Sequence, residues 1–210
     1  MGKSILPPAK RRGRQRSASA QAAILKAAIE LLGTKPLAEV TAEAIAERAG
    51  VSKATIYKWW PNKSLVALDA FGACLEAELT IANTGSAKQD FLRQLQDSIA
   101  FYKSPRGRMF CQFLAEGQSD PGFLKLFRER FLKPRRDSVL PIWQRGVERG
   151  EIRKEVDREL VLDLIFGPMV YRLLAGHGPL DEAQARAIID TVFSGVQTGV
   201  VEKGAVRKKR

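Results

Sequence analysis

The 210-residue, 23.3 kDa chain is 45% hydrophobic, enough apolar material for the core of one domain or two small ones. Its net charge is +12 with a pI near 10.0, and one histidine and two cysteines leave no material for a histidine-rich metal site or a disulfide framework. The charge is uneven: residues 1–72 hold twelve Lys/Arg against five Asp/Glu, residues 73–201 eighteen against seventeen, and residues 202–210 five against one. Basic charge gathered toward one end is what a polyanion partner requires. No apolar run reaches the roughly eighteen residues of a membrane span and no signal-peptide core is present, so a cytoplasmic protein without membrane association is expected.

Residues 1–17, rich in Pro, Gly, Ser and Arg and without apolar periodicity, read as a flexible basic arm. Its Lys10, Arg11, Arg12, Arg14 and Arg16 either follow the DNA backbone or minor groove, or serve solubility alone. Ile24, Leu25, Ala28, Leu31 and Leu32 then fall at helical intervals and predict an amphipathic helix over 19–33. Residues 42–61, AEAIAERAGVSKATIYKWWP, carry helix-turn-helix spacing. Ala46 permits a close crossing, Gly50 suits a turn with positive φ, and Ile45, Ala49, Val51, Ile56 and Trp60 supply the small core. Thr41 and Ser52 stand where each helix begins, each able to cap the free N–H groups of a first turn.

A longer helix is expected from Asn62 or Ser64 to about Thr80. After the loop at 83–86, helices follow at about 87–103, 107–117 and 121–149, the last divided or bent by Pro134 and Pro141 and stopped at Gly150. Two apolar helices, 157–175 and 181–200, are separated by AGHGP and capped by Asp157 and Asp181. No period-two strand pattern occurs, so the fold class is all-α: an N-terminal three-helix helix-turn-helix domain plus a larger C-terminal helical domain. The expected divisions are the arm at 1–17, the DNA-binding domain at 18–64, the C-terminal domain at 65–201 and a basic tail at 202–210. Cys74 and Cys111 read as inert buried thiols.

The stretch TAEAIAERAGVSKATIYKWWPNKSLV, with its Thr-Ile-Tyr core followed by Asn62 and Lys63, closely resembles the DNA-binding domain of the TetR family of bacterial transcription regulators. Farther on, RFLKPRR at 130–136, RGEI at 149–152 and LLAGHGPLD at 173–181 are similar to a C-terminal subtype of that family. The resemblance implies a homodimer that binds a pseudo-palindromic double-stranded DNA operator, represses transcription, and releases DNA when a small molecule enters the C-terminal domain.

The second helix of the motif is expected in the major groove, offering Lys53, Ala54, Thr55, Lys58 and Trp59. By the family motif Thr55 and Tyr57 match DNA-contacting positions and Lys63 a phosphate contact. Thr41 and Ser52 complete the DNA-binding set at helix N-termini. Two readings stand for Tyr57, DNA contact or packing on the first helix, and for Trp59, packing or DNA contact; Lys58 is solvated or near phosphate. The resemblance further implies a cavity for a small apolar effector among Phe110, Phe113, Leu114, Phe127, Trp143, Phe166 and Met169, residues that are ordinary core on periodicity alone. Apolar excess in the last two helices, including Leu160, Leu164, Leu173, Ile188, Val192, Phe193 and Val196, predicts a two-fold interface built as a four-helix bundle.

An enzyme is the reading of another class. His177 has no second histidine for a relay or metal site, no phosphate-binding loop or nucleophile elbow occurs, and no metal or cofactor is expected. A helical interaction module without sequence-specific DNA binding is the remaining alternative, separated from a regulator by DNA retention at moderate salt.

Overall fold

The computed structural model describes the backbone of residues 10–196 and the side chains of residues 18–196. The basic tail at 202–210 and the side chains of Lys10 to Arg16 therefore lie outside the described residues. Within them the chain is helical, without strands: α1 Lys10–Leu32, α2 Ala42–Ala49, α3 Lys53–Tyr57, α4 Lys63–Glu78, α5 Ala87–Lys103, α6 Met109–Ser119, α7 Pro121–Phe127, α8 Lys133–Asp137, α9 Leu140–Glu148, α10 Arg158–Ala175 and α11 Glu182–Val196. A short 3₁₀ turn, Leu37–Glu39, precedes α2. None of these helices is long and apolar enough to cross a membrane.

Helix α1 starts at Lys10, ahead of the expected start near Ser19. Lys, Arg and Gln extend a helix well without contributing to its apolar stripe, so periodicity alone misses its first turns. The long helical segment after α6 is broken as its prolines predict. α7 widens into a π turn at Arg128–Leu132 just before Pro134, which lacks the N–H that Arg130 would otherwise receive, and Pro141 opens α9. Asp157 caps α10 through Glu159 N–H at 2.8 Å, and Asp181 accepts from Gln184 N–H at 2.8 Å before α11.

Two compact units result, and they cut the chain differently from the expected 64/65 boundary. One comprises the residues up to Glu78 with Phe101–Pro134; the other comprises Leu79–Ala100 with the residues from Arg135 onward. The reason for the first lies in α4, which is covered on all sides near its start: Leu65, Val66, Ala67 and Leu68 are each within 1% of full burial. One side packs on α1, where Ile24, Ala27, Ala28 and Leu32 are buried. The other brings Phe71 to the centre of an aromatic cluster, with ring centroids 5.6 Å from Phe101, 5.4 Å from Phe113 and 5.3 Å from Phe131. Tyr102, Phe110, Phe123 and Phe127 extend that cluster. The α5–α6 corner closes so tightly that a Cβ on Gly107 would sit 2.1 Å from the Phe101 carbonyl oxygen, which reserves the position for glycine.

In the second unit Phe91 of α5 meets Phe193 of α11 at 6.2 Å between centroids, and Lys88 pairs with Asp190 at 2.8 Å. Ile142, Ile152, Val161, Ile165, Met169 and Ile189 fill the remaining core.

Candidate nucleic-acid interface

Helices α2 and α3 are fastened at both starts. Thr41 Oγ1 accepts from Ala44 N–H at 3.1 Å, and Ser52 Oγ accepts from Thr55 N–H at 3.2 Å. Gly50, at φ +65°, ends α2 in the left-handed conformation that turns the chain into α3. Ile45 and Ile56 are wholly buried between the helices. The end of α3 is anchored by Trp60, 4% exposed, whose indole N–H donates to Asp69 Oδ2 of α4 at 2.7 Å; Arg130 holds the same carboxylate at 3.1 Å.

This anchoring leaves one side of α3 outward. Lys53, Ala54, Tyr57 and Lys58 are exposed, Tyr57 at 46%, and Thr55 is half-buried with its hydroxyl 2.9 Å from that of Ser52. Trp59 lies half-buried edge-on to Trp60, with the Lys58 ammonium over its ring at 5.8 Å. Lys53 is engaged twice, paired with Glu43 of α2 and set 5.8 Å from the Tyr57 ring centroid. The hydrogen bond to Glu43 raises the Lys53 pKa, and the same bond lowers that of Glu43, so both groups are firmly charged. Lys63 donates to the carbonyls of Ala38 at 2.9 Å and Leu37 at 3.2 Å, which places its ammonium against the turn before α2. Neither the Glu43 pairing nor these carbonyl contacts is visible in the motif, because each depends on where two helices cross.

The residues expected to line one effector cavity are divided between the two units. Phe110, Phe113 and Phe127 are buried in the aromatic cluster of the first unit with Leu114 half-buried on α6, whereas Trp143 and Met169 are buried and Phe166 half-buried in the second unit. A cleft of about 560 Å³ lies in the first unit, lined by Ile29, Glu30, Arg48, Glu78, Pro105 and Arg106 among others, and by none of those seven.

The expected dimer face is also redrawn. Ile188, Val192, Phe193 and Val196 are 7, 9, 1 and 5% exposed, spent on the monomer's own core because α11 turns its apolar side inward toward Phe91. Leu173 is half-buried. Leu160 and Leu164 stand out at 55 and 48%, and the structure adds Tyr171 and Leu174 at 64 and 53%. With the exposed Gly167 these positions follow a four-three repeat along α10. The outward side of α11 shows the small residues Ala183, Ala187 and Ser194 beside the charged Glu182, Arg186 and Asp190.

Both cysteines are half-buried and free rather than fully buried. Burial pushes each thiol pKa up, at Cys74 with help from the neighbouring Glu78, so thiolate chemistry is suppressed.

A capped helix-turn-helix with a basic outward side, joined to a larger helical region, defines the class: a DNA-binding regulator. Residues 24–68 match the model for "Bacterial regulatory proteins, tetR family", and residues 81–192 that for "Tetracyclin repressor-like, C-terminal domain". The chain is 38% identical over 187 residues to an uncharacterized HTH-type transcriptional regulator, YdeS, of Bacillus subtilis, covering 89% of this chain and 94% of that protein. It is 28% identical over 185 residues to a DNA-binding transcriptional repressor, TetR, of Mycobacteroides abscessus, covering 87% and 94%. The crystal structure of the TetR family transcription regulator SCO0332 superposes with a TM-score of 0.78 at 32% identity, covering 85% of this chain and 98% of that one. The chain belongs to the TetR family of DNA-binding transcriptional regulators, a family of regulators rather than enzymes.

Proposed function

We propose that the protein is a homodimeric repressor of a pseudo-palindromic operator, released by a small, largely apolar effector held in its C-terminal domain. The observation that carries the reading is the outward side of α3, where Lys53, Tyr57 and Lys58 stand exposed while Ile56 and Trp60 hold the helix from behind. An α-helix presented this way fits the major groove, with Thr41, Ser52 and Lys63 near the phosphates, Thr55 and Tyr57 toward the bases, and Trp59 at the edge. Trp59's contact with Trp60 favours packing as its main role.

Dimerisation is supported by Leu160, Leu164, Tyr171 and Leu174, whose repeat suits helix-on-helix packing against a second copy. The small residues outward on α11 suit close approach within a four-helix bundle. Repression agrees with the relative from Mycobacteroides abscessus, itself a repressor by name.

The test is selection of genomic fragments by the purified protein, followed by gel shift on the recovered sequence. Two inverted half-sites bound by one dimer, with retention at moderate salt, support the proposal. Salt-labile binding without sequence preference overturns it in favour of a helical interaction module.

A further inference from the structure

Helix α5 carries a polar row through buried surroundings. Asp90, Gln94 and Ser98, one helical turn apart from each other, are 0, 1 and 0% exposed. Two of the three are provided for. Asp90 accepts from the Thr84 N–H and hydroxyl at 2.7 Å each and from Arg145 of α9 at 3.2 Å. Ser98 donates to the Gln94 carbonyl at 2.7 Å and receives Arg135 at 3.1 Å. Gln94 differs: neither its Nε2 nor its Oε1 has a hydrogen-bond partner among the described residues, and the buried Nε–H of Arg145 has none either. An amide sealed from solvent with both ends unpaired is destabilising, and folded proteins rarely keep one unless something else completes it.

We propose that Gln94 and Arg145 are the recognition groups for an uncharged hydrogen-bonding head, of the primary carboxamide type, on the molecule taken up by the C-terminal domain. This rests on the effector reading above and gives that otherwise apolar molecule a polar end. The charge of the head follows from the Asp90–Arg145 pair, which is already balanced. An anion arriving there faces the Asp90 carboxylate and a cation faces the Arg145 guanidinium, so either is buried without net compensation. The pattern of the head follows from the unused atoms. Gln94 Nε2 donates to a ligand carbonyl while Oε1 accepts a ligand N–H, and the Nε–H of Arg145, the side chain that pairs with Asp90 one helical turn before Gln94, is a further donor.

The test compares benzamide with isopropylbenzene, which has the same number of heavy atoms and no polar head, on the ¹⁵N-labelled full-length protein. The Gln94 side-chain NH₂ signal is assigned by its loss in Gln94→Met. Benzamide is expected to shift that signal and to bind about tenfold tighter than isopropylbenzene, the scale of one or two neutral hydrogen bonds. Gln94→Met should abolish the preference while keeping or raising the melting temperature. Arg145→Lys, which keeps a cation for Asp90 but removes the Nε–H, should weaken benzamide alone. Equal binding of the two compounds, an unmoved Gln94 signal, or no binding of either overturns the inference. Release of operator DNA by isopropylbenzene with the Gln94 signal unmoved overturns it while leaving the effector reading intact. A Gln94 shift by benzamide without DNA release supports the site and overturns the release reading.

Discussion

The side-chain carbonyl of Gln112 on α6 accepts a hydrogen bond from the Leu37 N–H at 2.7 Å, and the carbonyl of the same Leu37 receives Lys63 of α4. One 3₁₀ turn is thus gripped by α6 through its donor and by the start of α4 through its acceptor. Replacing Gln112 with Leu leaves the Leu37 N–H without its partner and should cost about 1 kcal/mol of stability. Melting curves check this, and gel shift should show weaker operator binding as the turn that positions Lys63 loosens.

Tyr57→Ala and Lys63→Ala should each lower operator affinity by about 1 to 3 kcal/mol. They should differ in stability. Tyr57 is 46% exposed, so its loss leaves the melting temperature nearly unchanged, whereas Lys63 holds two backbone carbonyls and its loss lowers it. A Tyr57→Ala protein that melts early yet binds normally points to packing as the role of that ring.

The two faces of the last helices give opposite expectations for single substitutions. Leu164→Glu places a charge on the outward stripe and should shift the dimer toward monomer in sedimentation while the protein still melts cooperatively. Phe193→Ala empties a wholly internal site against Phe91 and should destabilise the fold by about 3 to 5 kcal/mol.

Asp90 sets an acid limit. Burial pushes its carboxyl pKa up, but the two hydrogen bonds from Thr84 and the Arg145 guanidinium outweigh this and hold it below the ordinary carboxylate value. The folded state therefore binds this proton less readily than the unfolded chain. Its stabilisation is complete above about pH 4 and drains away as the pH falls below that through the lowered folded value. Asp90→Asn should lose about 1.5 to 3 kcal/mol at neutral pH and show a flatter stability curve in acid, measured by urea unfolding at several pH values.

Much of the fold was legible because local chemistry announces it. α5 spans the expected 87–103, and Thr41, Ser52, Asp157 and Asp181 cap where their positions suggest. What remained hidden depends on which element meets which. α11 has an apolar stripe in sequence, but only its contact with α5 shows that Phe193 and Val192 serve the monomer rather than a partner. Likewise Asp90, Gln94 and Ser98 look no different in sequence from the neighbouring Gln89 and Arg93, which face solvent. Their i, i+4 spacing was the available signal, and polarity alone assigns such a row to the surface. The effector candidates are divided between the two units for the same reason: aromatic residues announce burial, not the unit in which they are buried.

The pairing of Glu43 with Lys53 has a bearing on how the protein searches a genome. The Glu43 carboxylate occupies the ammonium much as a phosphate would, so on the proposed docking of α3 a duplex has to evict an internal mimic of its own backbone. Random sequence, which offers charge alone, recovers little from that exchange, whereas an operator also supplies base contacts along α3. On that docking the acidic neighbour is expected to act as a threshold against lingering on the wrong site. Glu43→Gln is expected to tighten binding to random duplex more than to operator, narrowing the ratio between them in competition gel shifts.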